Sequence, residues 1–290
     1  MTRTNIVQQF GRSYQLVIGN DKESIVIEQT NATGQGLTMS FDIVKSIKSD
    51  PNTATFSITN LSQSTRNLIT DKKYNRLMFN AGYQDDLRTL FIGYIDDVEN
   101  KKESTDIITI MTCSDGSKDY RDARVAVTVA KGATDQEIIK QVTSAMPDTQ
   151  NGEMQFTTER KLPRGKTLVG NARDVLKDVA KNHDADWSIQ DGQLLFLPKQ
   201  NALANNEGFL ISESTGMIGS PQKTSDGVEY RCLLNNVMRI GQLFRGESII
   251  KELSGDFKIS KLQMKGSNIG SDWMCVVEGQ NGTYHTKEKK

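Results

Sequence analysis

The chain has 290 residues, enough for two or three domains and a substantial core. Its 36 basic residues are matched by 36 acidic ones, which argues against a general binder of nucleic acid or anionic membrane and does little to hold copies apart. Hydrophobic residues make up 36%, so much of the surface must be polar. Met1 to Gln9 carries polar residues throughout and lacks the apolar core of a signal peptide. No later run approaches the ~20 apolar residues of a membrane span, so the expectation is a chain folded in a cytoplasm. Seven short runs follow, at 14–18, 24–28, 37–44, 53–59, 76–83, 89–95 and 106–112, rich in β-branched or aromatic residues and bounded by Gly, Asn, Asp or Pro. They predict a barrel or sandwich. Leu37, Met39, Phe41 and Ile43 alternate with Thr38, Ser40 and Asp42, the pattern of a strand with one buried and one wet face. A helix interrupts the strands over 62–69, with Ser62 as N-cap and Leu68 and Ile69 turned inward.

After Asp115-Gly116 the pattern changes. Thr134-Asp135-Gln136-Glu137 is a capping box, and Ile138, Ile139, Val142 and Ala145 follow at helical spacing until Pro147. A second amphipathic helix spans about 171–183, with Ala172, Val175, Leu176, Val179 and Ala180 on one face. It leads into a hairpin whose arms, 187–190 and 193–197, flank Asp191-Gly192, the favoured pair for a type I′ turn. Trp187, between an apolar helix and a tight hairpin, is expected to plug one against the other. The polar stretch 199–208 marks a second boundary. Beyond it, strands are expected at 209–212, 228–233, 237–244, 255–264 and 273–278, with turn chemistry at Gly219-Ser220-Pro221 and Asp226-Gly227. The expected organisation is a β section over 1–117, an α/β insertion over 118–204, a second β section over 205–285 and a flexible charged tail over 286–290.

Chemistry-bearing motifs are scarce. Cys113, Cys232 and Cys275 are odd in number and widely spaced, so they suggest neither a disulfide framework nor a metal site, and read as buried hydrophobes in a reducing cytoplasm. The two histidines are His183, at a helix C-terminus, and His285, in the expected tail; neither belongs to a triad or metal set. Gly165-Lys166-Thr167 imitates the end of a phosphate-binding loop, but Arg160 stands where the loop requires Gly. Gly266 to Gly270 is a turn without the strand-then-helix context of a dinucleotide site. The Asn-x-Ser/Thr triplets at Asn31, Asn60 and Asn281 need no functional explanation. No catalytic, cofactor-binding or metal-ligating residue is nominated.

The segment Gly216 to Gly241, with Gly219-Ser220-Pro221, Asp226-Gly227-Val228, Leu233-Leu234-Asn235 and the closing Gly241, resembles the baseplate hub proteins of contractile-tailed bacteriophages. The similarity extends to Phe10-Gly11-Arg12-Ser13-Tyr14, to Asn60 through Arg66, to Trp187 through Leu197, and to the neighbourhoods of Gly255-Asp256-Phe257 and Asp272-Trp273. The resemblance implies an α+β, mainly β fold: two tube-like β-barrel domains with an α/β insertion between them. It also implies a structural virion protein of the tail baseplate, assembled in the host cytoplasm. Three copies would form a homotrimer that joins a sixfold tail tube to a threefold central spike. Its partners would be the tube-side protein, the spike protein and other baseplate proteins, with DNA passing through the lumen. A phosphate backbone is retained by basic walls, so a mildly acidic or neutral lumen is expected, with Asp96, Asp97 and Glu99 as candidates unless they are an ordinary solvated turn.

Two other classes compete. A tail-associated enzyme that degrades peptidoglycan would need two carboxylates about 5 to 10 Å apart, one with a raised pKa. Glu153, Glu159 and Asp174 lie in or near the α/β section, yet no sequence feature marks them as buried. A carbohydrate- or protein-binding module could use Tyr74, Tyr83, Tyr94, Trp187 and Trp273, although at 7% the aromatics are mostly needed for the cores.

Overall fold

The computed structural model describes residues 10–30, 34–84, 86–203 and 209–286. The opening nine residues, Asn31 with its triplet, and the tail residues 287–290 lie outside the described residues, as does the second half, 204–208, of the boundary stretch. The first section contains strands β1 (Arg12–Gly19), β2 (Ser24–Gln29), β3 (Met39–Ser46) and β4 (Asn52–Thr59), helix α1 (Gln63–Thr70), and strands β5 (Arg76–Tyr83), β6 (Asp86–Glu103) and β7 (Asp106–Asp115). All seven expected strands are present. Ser62 caps α1 by accepting the N–H of Thr65, and Ile69 is buried. Strand β6 runs well past Ile95, so Asp96, Asp97 and Glu99 are exposed strand residues and not a solvated turn. A register shift between Ile95 and Asp97 lets the strand continue against β7 out to Glu103.

The middle section contains α2 (Ser117–Asp122), β8 (Arg124–Val129), α3 (Asp135–Thr143), β9 (Gln150–Met154), β10 (Lys166–Asn171), α4 (Ala172–Asn182), β11 (Ala185–Gln190) and β12 (Gln193–Pro198). The capping box is formed: Thr134 accepts from the Glu137 N–H while the Glu137 carboxylate accepts from the Thr134 N–H. Asn171 caps α4, and its buried face matches the predicted one. Asp191 at φ 54° and Gly192 at φ 77° join β11 to β12, two left-handed residues as a type I′ turn requires. Strands β8 and β10 pair antiparallel, and β9 joins β12 in parallel. These three strands and α2 escaped the sequence reading because they are short or half-exposed.

The last section contains β13 (Asn201–Ala202), β14 (Phe209–Ile211), β15 (Gln222–Lys223), β16 (Gly227–Leu233), β17 (Leu243–Gly246), β18 (Gly255–Ser267), β19 (Trp273–Gln280) and β20 (His285–Thr286). The strand expected over 237–244 is a correction: Asn235 to Gln242 turns, and only Leu243–Gly246 is extended. Local side-chain bonds compete with the ladder there. Asn235 accepts the Val237 N–H, Gln242 accepts the Arg239 N–H, and the Arg239 guanidinium donates to the carbonyls of Asn236 and Met238. Met238 and Ile240 alternate because both are buried in the core, not because they belong to a strand. A second correction concerns His285 and Thr286, which pair in parallel with Asn201 and Ala202 and so are not part of a loose tail.

The two β sections are not separate sheets. Strand β18 pairs with β3, giving the continuous order β15-β16-β19-β18-β3-β4-β7-β6-β5-β1-β2, with β17 and β14 attached to β18. No backbone ladder between β2 and β15 closes this sheet among the described residues. Side chains bridge part of the gap: Arg12 donates to the carbonyls of Ser267 and Ser271, and Asn268 donates to the side chain of Gln29. Register carries Leu233, Met274, Lys265, Asp42, Thr55, Thr112 and Asp97 in one wet row across seven strands. The adjacent row on the dry face is Cys232, Cys275, Met264, Ile43, Ala54, Cys113 and Ile95, so all three cysteines are buried in one line. Residues of both β sections share one core, in which Trp273 packs edge-on against Phe41 at 5.2 Å and Phe41 lies 4.8 Å from Phe79. A second core, from Ala123 to Phe196, holds the middle section.

Candidate assembly surfaces

The sheet leaves edges. Strand β2, Ser24-Ile25-Val26-Ile27-Glu28-Gln29, ends the strand order and carries neither Pro nor Lys, the usual guards of an edge. Among the described residues strand β6 beyond Asp96 is paired by β7 alone, but its edge is dense in charge, from Asp97 through Lys101, Lys102 and Glu103. The wet face itself is close to electrically balanced. Arg231 lies 3.1 Å from Glu229, Lys261 lies 2.8 Å from Glu278, Lys101 lies 3.2 Å from Glu99, and Lys265 lies 3.8 Å from Asp272.

The middle section is latched to the first by a buried polar network. Both carboxylate oxygens of Asp115 accept backbone N–H groups of the β11–β12 turn, from Asp191 and Gly192. The Asn52 amide donates to the Ile189 carbonyl at 2.8 Å, and Gln190 donates to the Ser46 carbonyl at 2.8 Å. Lys45, inward-facing on β3, ion-pairs with Asp191, whose other oxygen accepts the Ile92 N–H. Burial foremost, then the charge of Asp191, pushes the Asp115 carboxyl up to about 6, against the opposing pull of Lys45 and the two N–H bonds. Sequence reasoning marked Asp115-Gly116 and Asp191-Gly192 only as punctuation. The one available signal was Lys45 itself, a charge on the apolar face of β3 in phase with Phe41 and Ile43.

Beside the latch lies a cleft of about 470 Å³ between β1, β2, β5, β6 and the loops of the middle section. Val17, Leu77, Met78, Ile92 and Pro147 supply apolar lining, and Arg76, Tyr94 and Asp148 a polar side. Tyr94 donates to Asp148 Oδ1 at 2.7 Å, and the Arg76 guanidinium lies over the Tyr94 ring. Asp148 Oδ1 also lies 3.8 Å from the Arg76 guanidinium, and the buried Oδ2 of the same carboxylate has no hydrogen-bond partner among the described residues. In the other half of the strand order, the loop between β17 and β18 holds out Ile249, 89% exposed, and Ile250, 51% exposed. This loop is pinned: Ser254 Oγ accepts the Ser248 N–H and donates to the Ser248 carbonyl, while Tyr230 donates to the Leu253 carbonyl.

The residues weighed for catalysis or ligand binding do not converge. Glu153, Glu159 and Asp174 are exposed. Tyr74, Tyr83, Trp187 and Trp273 are buried, and of the five aromatics considered only Tyr94 reaches a cleft. Trp187 sits in the second core near Tyr120, as expected. Lys166 and Thr167 open β10, in no phosphate cradle. The structure does bring His183 to a partner that the sequence hid. Its Nε2 lies 2.9 Å from Asp135 and its Nδ1 lies 3.2 Å from Thr157 Oγ1. His183 caps α4 and Asp135 opens α3, so the bond ties two helix ends, and Phe156 and Phe196 crowd the ring. Among the described residues no cluster of His, Cys, Asp or Glu could hold a metal ion, and no helix is long and apolar enough to cross a membrane.

The sequence pattern of a family described as baseplate hub gp41 matches residues 21–279. No curated protein matches the chain. Among solved structures, the 43 kDa tail protein of prophage MuSo2 from Shewanella oneidensis is similar at a TM-score of 0.63 and 10% identity, over 91% of this chain and 96% of that one. The tail protein from Neisseria meningitidis MC58 is similar at 0.62 and 10% identity, over 94% and 97%. The E. coli c3393 protein, a type VI secretion component described as structurally similar to T4 tail proteins gp27 and gp5, is similar at 0.57 and 9% identity, over 87% and 76%. At such identities the likeness is one of fold.

Proposed function

We propose, from the premise that the chain belongs to the baseplate hub gp41 family, that three copies close into a ring joining a sixfold tail tube to a threefold central spike. The observation that supports this reading is the β18–β3 ladder, which fuses two β sections into one sheet with a continuous wet face. In this reading 1–117 and 205–285 are the two wall units of each chain and 118–204 is a unit inserted between them. Three chains then present six wall units, which matches sixfold to threefold symmetry by geometry alone. Closing the ring needs heterologous contacts between unlike edges, as the distinct ends of the strand order supply.

The wet face, including Asp97 and Glu99, lines the channel through which DNA leaves. Its basic side chains stand beside carboxylates, so few free cations remain to hold phosphates by counterion release, and DNA can pass without sticking. The role requires no catalytic group, cofactor or metal. It places the protein at the virion tail baseplate after assembly in the host cytoplasm, with tube-side, spike and other baseplate proteins as its neighbours.

Native mass measured over a range of protein and salt concentration tests the reading. The expected result is a three-subunit particle, formed alone or on adding the spike protein. A strict monomer at every concentration and with every partner would refute it, and peptidoglycan release abolished by one carboxylate substitution would replace it with an enzymatic role.

A further inference from the structure

We propose that the Ile249–Ile250 knob of one copy seats in the cleft beside Ile92 and Asp148 of the next copy, forming the contact that closes the ring. This inference rests on the ring reading above and adds the residues that make it. Ile249 and Ile250 are held out by a loop pinned through Ser248 and Ser254, so the knob is ordered before it meets a partner and loses little freedom on binding. The two adjoining side chains form one small apolar projection on an otherwise polar loop. The cleft answers the knob in two respects. Its lining of Val17, Leu77, Met78, Ile92 and Pro147 is apolar, with Ile92 itself 41% exposed. It also holds Asp148, whose Oδ1 accepts from the Tyr94 hydroxyl and lies 3.8 Å from the Arg76 guanidinium while its buried Oδ2 has no hydrogen-bond partner among the described residues; the residue after the knob is Lys251, exposed and in no ion pair among them.

Position supports a second copy as the occupant. A single cross-strand row runs Gln263, Val44, Thr53, Ser114, Tyr94, Arg76, Gly19 and Ser24. The cleft opens at the Ser114 to Ser24 part of that row, on the side where the β3–β4 turn lies. Strand β18 extends from Gln263 back to Gly255 toward that same side, because Lys261 faces Ser46. The knob precedes Gly255, so knob and cleft share one end of the sheet but belong to opposite halves of the strand order. A contact between unlike surfaces at the same end can repeat by rotation without translation, which is the condition for a closed ring.

The test uses the full chain. Ile249→Glu with Ile250→Glu is expected to raise the concentration for half-assembly by roughly a hundredfold. The melting temperature of the unassembled chain, measured below the concentration at which wild type assembles, should stay unchanged, since both side chains are exposed there. Ile249→Cys with Ile92→Cys, treated with oxidised glutathione, is expected to give covalent dimers and trimers on a non-reducing gel. Each bond joins two thiols with loss of two protons and two electrons, which reduce one oxidised glutathione to two thiols. Neither single variant should do so, because the three native cysteines are buried. A wild-type ring that survives the double glutamate variant, with no cross-link in the double cysteine variant, overturns the knob contact and leaves the ring reading intact. A wild type that never assembles overturns both. A cross-link from position 249 to a spike or tube protein, with none between copies, overturns the contact in favour of that partner.

Discussion

Replacing Lys45 by Met isolates the energetics of the latch between the inserted section and the sheet. The ammonium is buried, and Asp191, at 21% exposure, is its ion-pair partner. Met keeps most of the stem volume, so the change is mainly one of charge. What remains is the Asp191 carboxylate close to that of Asp115, with no cation between them. Breaking a buried pair by removing one member costs about 3 to 5 kcal/mol. The partial exposure of Asp191 reduces this through solvent screening, to about 2 to 3 kcal/mol. Asp115 sets the pH dependence. Its folded pKa, about 6, already lies above the unfolded value and rises further without Lys45. A raised folded pKa contributes stability that is fully present below the unfolded pKa and is lost as pH rises through the folded one. The deficit of Lys45→Met is therefore expected to be larger at pH 8 than at pH 5. Urea unfolding followed by tryptophan fluorescence reads it, because Trp187 reports the inserted section and Trp273 the sheet core. Adding Asp191→Asn removes the stranded charge while tolerating the left-handed turn, and should recover more than half of the loss. A deficit below about 0.5 kcal/mol, or strictly additive effects of the two substitutions, would refute the reasoning.

Other outcomes follow from single buried groups. Burial foremost lowers the Lys258 pKa to about 8, although its ammonium donates to the carbonyls of Lys199 and Asn201. A depressed folded pKa gives stability present above the unfolded value near 10.5 and lost as pH falls through about 8, so wild-type stability should rise across that window; Lys258→Met should flatten the rise, and an unchanged slope would discount the group. Trp187→Ala should cost about 3 to 5 kcal/mol through the cavity left beside Tyr120, measured by chemical denaturation; unchanged stability would contradict its role as a plug. All three thiols should be silent to a thiol reagent in the native protein and react together on unfolding: burial raises Cys113, hydrogen bonding to Cys275 followed by burial raises Cys232, and Cys275, which its bond to Cys232 holds lower, is shut off from the reagent by complete burial. A native-state reaction at any of them would show the dry face to be open.

Local chemistry determined much of this protein from the sequence alone. The Thr134 capping box, the Asp191-Gly192 turn, the Ser62 cap and the period-two pattern of β3 each need only near neighbours in the chain, so each was legible and each is formed. Alternation misled at 237–244, where Met238 and Ile240 are buried in a turn that Asn235, Arg239 and Gln242 hold by their own side-chain bonds. The candidate surfaces were mostly beyond reach. Nothing in the sequence says that β18 should pair with β3, more than 200 residues away, and it is that pairing that makes two β sections one sheet. The contact of His183 with Asp135, the latch of Lys45 and Asp115 on the inserted hairpin, and the placing of cleft and knob at one end of the sheet all depend on long-range register. Register is set by which faces can be buried together, a property of the assembled core and not of any segment within it.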